Sequence, residues 1–161
     1  MPDTGDAFVL KARSLLKSDY LPKIESCLER LSDKEIWWRP HPGSNSIGNL
    51  LLHVSGNARQ WIVSGVGGAS DSRERQPEFD GGGKLSREEL LATLRRTLDD
   101  VDAVLSGLPS SRLAERRVIQ DYEVTVLDAI FHVVEHFSMH TGQVIYITKQ
   151  LTATDLHFYD L

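Results

Sequence analysis

The chain has 161 residues, 40% of them apolar and 25% charged, which is ordinary globular composition and excludes a disordered chain. Eighteen Lys and Arg against 23 Asp and Glu give a net charge of −5, which opposes nucleic-acid binding. One cysteine, Cys27, excludes an intramolecular disulfide framework and any paired-cysteine zinc or redox site, and suits a reducing compartment.

The start of the chain lacks the basic and apolar regions of a secretory signal, and no apolar run reaches the ~20 residues of a membrane span. The expectation is a soluble cytoplasmic protein with neither nucleic acid nor membrane as partner, forming one domain over residues 1–161.

Four long helices are predicted. The first covers about Asp6 to Leu31, with Phe8, Leu15, Leu16, Ile24, Leu28 and Leu31 on one face, and Pro22 is expected to kink or split it. Residues Trp37 to Gly43, with Pro40 and Pro42, form a rigid connector. The second helix starts at Asn45 or Ser46, both good N-caps, and runs to about Ser64, where Gly65, Gly67 and Gly68 stop it. Ala69 to Lys84 reads as a polar loop containing Gly81, Gly82 and Gly83. Within it, Asp71, Arg73, Glu74, Arg75 and Glu78 read either as an anion-binding loop or, as expected here, as charges that simply pair in solvent.

Ser86 with Glu89 is a capping box opening the third helix, which ends near Gly107. Arg117 to Val124 could be a short hairpin or a loop. Thr125 with Asp128 then opens a fourth helix reaching about Leu151. The fold class that follows is an all-α four-helix bundle.

The fourth helix carries the chemistry. At 100° per residue, His132, His136 and His140 fall within roughly 80° of one another, on an arc shared or bordered by Val126, Ala129, Val133, Val144 and Ile147. Imidazoles at i and i+4 can chelate one divalent ion, and three unpaired imidazoles on an apolar face are costly to bury. A third ligand should come from elsewhere, and His53 lies at the edge of the apolar stripe of the second helix. Gln143, Asn57 and Gln60 are candidate cavity or ligand-orienting residues, with His132 beside them. Most of the circumference of the fourth helix is apolar, which points to a second covered side and a homodimer. Glu135 falls on its polar strip, while His41 and His157 sit in a connector and a tail.

Trp38-Arg39-Pro40, the segment Asn45 to His53 (NSIGNLLLH), and His136 and His140 with Gly142-Gln143 together resemble the DinB-like family of damage-inducible, metal-binding four-helix proteins. The resemblance spans nearly the whole chain and points to an uncharacterised branch. It implies a bundle with a long cross-connection, commonly dimeric, and a zinc, nickel or similar ion held by His53, His136 and His140, with His132 one turn away. It also implies a low-molecular-weight thiol, since related members include a mycothiol-dependent isomerase and thiol S-transferases. In the isomerase branch one helix-four ligand is a glutamate, where this chain has histidines. Two functions follow as expectations: a metal-dependent thiol S-transferase or hydrolase, and a non-catalytic stress-response protein that binds a metal or small ligand.

Overall fold

The computed structural model describes residues 3–80 and 83–159. Gly81 and Gly82, two of the three glycines in the expected loop, lie outside the described residues.

The first rod begins with α1 (Thr4–Ser14), capped by Asp3, whose carboxylate accepts from the Asp6 amide. It passes through a π turn (Leu15–Tyr20) into α2 (Leu21–Leu28) without leaving the right-handed helical region. Pro22 therefore neither splits nor ends the rod. The wide turn just before it, in which the Leu21 amide reaches the Leu16 carbonyl, lets a residue without an N–H enter a continuing helix. A short helix, α3 (Asp33–Ile36), then starts on a capping box of Ser32 and Glu35.

The second rod is α4 (Ile47–Ala58) followed by a π turn (Arg59–Ser64). Ser46 is its N-cap, and Asn49 fills the place usually held by Glu or Gln in a capping box, accepting from the Ser46 amide and hydroxyl. The expected loop is not wholly irregular, because α5 (Gln76–Asp80) forms within it. The third rod, α6 (Arg87–Ser106), opens on the expected Ser86–Glu89 box.

Residues Arg116 to Thr125 form an antiparallel hairpin of β1 (Arg116–Ile119) and β2 (Tyr122–Thr125). Gln120 and Asp121 make its two-residue turn with φ of 51° and 65°, the doubly left-handed geometry that matches the twist of paired strands. The hairpin delivers Thr125 to cap α7 (Val126–Thr152), which ends on the left-handed Ala153.

The α4 helix packs against both α6 and α7, and the first rod closes the bundle against α6 and α7. The core is continuous, with Leu28, Ile36, Ile47, Leu94, Leu98, Val133 and Phe137 all fully buried. Burying each such side chain stabilises the fold by about 1.5–3 kcal/mol. Among the described residues, no helix is long and apolar enough to cross a membrane.

Candidate metal centre

His53 on α4 and His136 and His140 on α7 meet where these two helices pack. The Nε2 atom of His136 lies 3.0 Å from Nε2 of His53 and 3.0 Å from Nε2 of His140. Ligand atoms from the three rings all lie within 4.8 Å of one another. Nitrogen ligands of one tetrahedral ion at 2.0–2.1 Å stand about 3.3 Å apart, so the spacing is close to that of a coordination sphere.

The tautomers of the outer two rings are set by their neighbours. His53 Nδ1 lies 3.0 Å from Oε2 of Glu78. An ionised carboxylate only accepts, so Nδ1 carries the proton and Nε2 presents a lone pair. On the other side, His140 Nδ1 donates to Oε1 of Gln143 at 2.7 Å, and its Nε2 is likewise a lone pair. Both lone pairs aim at Nε2 of His136, which can donate to one of them at most. His136 Nδ1 is buried with no hydrogen-bond partner among the described residues. The protein alone cannot satisfy this arrangement. A cation accepting all three Nε2 lone pairs would relieve the facing lone pairs and would leave the His136 proton on Nδ1.

Electrostatics favour the neutral form of His136 and His140. Burial, followed by the neighbouring His140, His53, His132 and Arg73, pushes His136 down to about 3. Burial also lowers His140, against the opposing hydrogen bond to Gln143. Neutral rings are the form that binds a metal.

His132 has a different place. Its ring stacks on His136 with centroids 5.5 Å apart and lies tilted against Trp61 at 4.1 Å, and its Nε2 meets the Asn57 amide at 3.2 Å. It stands one layer outside the three-ring cluster. Burial is the main cause of its lowered pKa. Gln143 and Asn57 each touch a histidine, Gln143 at His140 and Asn57 at His132. Gln60 does not: its amide oxygen accepts from Arg73 and Gln120, and its nitrogen donates to Asp71. Glu135 is exposed, as its angle requires, and His41 and His157 are exposed and distant in role.

The expectation that the Asp71–Glu78 charges lie in solvent needs correction for Arg73 and Glu78, while Asp71, Glu74 and Arg75 are exposed. Arg73 and Glu78 are buried, with side chains 6% and 9% exposed, and bind each other through two hydrogen bonds of 2.7 and 2.9 Å. Burial acts to raise the Glu78 pKa, but the hydrogen bonds from His53 and Arg73 outweigh it and hold the carboxyl below its ordinary range. The α5 helix places Glu78. Asn49 anchors it by donating to the carbonyls of Glu78 and Phe79, and Arg39 donates to Phe79 and Asn49. The only sequence signal for this was the polar Asn49 in an otherwise apolar helical start, which asks for partners outside its own helix.

Fold and site together define a class, a DinB-like helical bundle with three imidazoles converging between two of its helices. The model of the family described as "Protein of unknown function (DUF1572)" matches residues 3–160, and the chain belongs to that family. A conserved protein from Enterococcus faecalis has a similar structure, with a TM-score of 0.75 at 14% identity, covering 90% of this chain and 97% of that one. A DinB-like protein from Bacillus cereus is similar with a TM-score of 0.62 at 19% identity, over 84% of this chain and 92% of that one. No curated protein matches the chain.

Proposed function

We propose that His53, His136 and His140 hold one divalent cation, zinc or nickel, and that the protein is a metal-dependent thiol S-transferase or hydrolase. The observation that carries the metal reading is the trio of convergent Nε2 atoms, two of them held with lone pairs inward by Glu78 and Gln143. Imidazole nitrogen suits zinc and nickel alike. Bound there, a divalent ion supplies Lewis acidity that eases deprotonation of a coordinated water or thiol near neutral pH. Three neutral donors leave its double charge uncancelled, which favours an anionic guest such as thiolate. The DinB-like resemblance supplies the low-molecular-weight thiol, and the single thiol of the chain, buried Cys27, fits a reducing cytoplasmic setting.

The second reading is a non-catalytic stress-response protein that binds a metal or small ligand. It is favoured by the engagement of Glu78. This carboxylate touches the cluster but is tied to both Arg73 and His53 and is not free to carry protons.

Elemental analysis of protein purified without a histidine tag tests the metal. Cobalt-loaded protein titrated with bacillithiol, mycothiol or glutathione tests the chemistry, because a coordinated thiolate adds charge-transfer absorption. If no thiol perturbs that spectrum and no turnover depends on His53, the binding reading replaces the enzymatic one.

A homodimer is part of the same proposal. Leu127, Phe131, Met139 and Tyr146 are large apolar or aromatic residues on α7, each more than 40% exposed. A second copy covering them would remove that surface from water.

A further inference from the structure

The loop between α4 and α6 buries an ion pair, which is costly unless its geometry is good and its remaining polar atoms are satisfied. Arg73 meets both conditions. Its Nε and Nη2 grip the two oxygens of Glu78, and its Nη1 donates to Gln60. The backbone of the acidic partner is fastened separately, by Asn49 to the carbonyls of Glu78 and Phe79 and by Arg39 to that of Phe79. The Phe79 ring then lies against His53, with centroids 5.1 Å apart. Gly56 leaves the space that Oε1 of Glu78 occupies. A loop that merely solvates its charges requires none of these provisions.

The two members of the pair act on His53 in opposite senses. Glu78 Oε2, 3.0 Å from Nδ1, accepts and so selects the Nδ1–H tautomer. Arg73 Nη2, 3.3 Å from the same nitrogen, only donates and would select the other tautomer if the carboxylate were gone. In that other tautomer Nε2 carries the proton and has no lone pair for a metal.

We propose that Glu78 is a positioning residue for the metal centre, holding His53 with its Nε2 lone pair aimed at the cluster, and that Arg73 holds the carboxylate in place. The inference rests on the metal reading above. Glu78 also places a negative charge one ring away from the cation, while Arg73 opposes it. Substitutions at residue 78 are therefore ranked by charge and not by size. Glu78→Gln keeps the shape but leaves the Arg73 cation uncompensated beside a dication.

The test titrates the metal-free full chain with zinc against a chromophoric chelator. Thermal unfolding without metal is run in parallel to report loss of fold. Glu78→Gln and Glu78→Ala should both weaken zinc binding, by about ten- to a hundredfold. The double variant Arg73→Gln/Glu78→Gln should recover part of that loss, because the stranded cation is gone. A role in packing alone predicts instead that Glu78→Gln binds zinc as wild type does and that the double variant is the weakest, and either result overturns the proposal.

Nitrogen-15 NMR of the imidazoles in metal-free protein gives a readout independent of affinity. The His53 proton should sit on Nδ1 in wild type and move to Nε2 in Glu78→Ala, and a proton that stays on Nδ1 in the variant overturns the assignment. Wild type that takes up no zinc defeats the metal reading itself, whereas zinc-binding wild type with an indifferent Glu78→Gln defeats only this inference.

Discussion

Gly56 lies directly beneath the Glu78 carboxylate, so close that a Cβ at residue 56 would overlap Oε1. The neighbour cannot swing aside cheaply, because Glu78 is held by Arg73 and His53 and its backbone by Asn49. Gly56→Ala should therefore displace the carboxylate and weaken zinc binding. The same change favours the helix by about 0.5–1 kcal/mol through backbone entropy. The expected outcome is a loss of zinc affinity without a matching fall in melting temperature, and unchanged affinity would show that Glu78 is not set by this contact.

The geometry separates His132 from His140 as metal ligands. His140 Nε2 lies 3.0 Å from His136 Nε2, whereas His132 spends its Nε2 on Asn57. His136→Ala and His140→Ala should abolish stoichiometric metal, while His132→Ala should keep it. Elemental analysis of the three proteins decides the matter, and an exchange of phenotypes between the last two would reassign the ligand.

The metal-free protein should lose stability in acid through the buried imidazoles. His136 titrates at about 3 in the folded chain, well below the ~6.5 of an unfolded histidine. Above pH about 6.5 both states are neutral and the full stability is present. As the pH falls from there toward about 3, the unfolded chain takes up a proton that the folded one refuses, so unfolding gains. Urea midpoints of metal-free protein should fall across that window. His136→Gln should flatten the slope, and identical slopes in the two proteins would contradict the assignment.

Phe137, fully buried beside the cluster, anchors α7 in the core. Phe137→Ala should cost about 3–5 kcal/mol, as aromatic-to-alanine cavities usually do. Urea unfolding of the metal-free protein measures this, and a cost under about 1 kcal/mol would mean the site collapses around the gap.

For the proposed homodimer, Phe131→Glu should shift the protein to one chain by placing a charge on the exposed apolar face of α7. Sedimentation equilibrium gives the mass directly. A wild-type mass of one chain at micromolar concentration would remove the dimer.

The long helices and their starts were legible because local chemistry writes them. Ser46, Ser86 and Thr125 each cap the helix that the sequence places after them, and the histidine rows follow from helical angle alone. The pairing of His53 with His136 and His140 is what the DinB-like resemblance implies; helical angle alone puts His53 at a stripe edge of α4 and leaves His132, His136 and His140 together on the inward arc of α7. What could not be read was tertiary. Arg73 and Glu78 look like any loop charges until Asn49 and Gly56, far away in sequence, are seen to seat them. Pro22 read as a kink or a split because the π turn that carries it within one rod has no residue signature of its own.

The π turn at Arg59–Ser64 lets the second rod carry one residue more than an α-helix of the same span. Deleting one residue within it would leave an ordinary α turn, with the helix on either side keeping its facing. The same deletion in Ile47–Ala58, where the turns are regular, would rotate everything downstream by about 100° about the helix axis. Gly65, which now lies against Ile119 of the hairpin with no room for a Cβ, would then turn away, and a residue with a side chain would take its place. Homologous chains should therefore change length by one residue more readily within Arg59–Ser64 than within Ile47–Ala58.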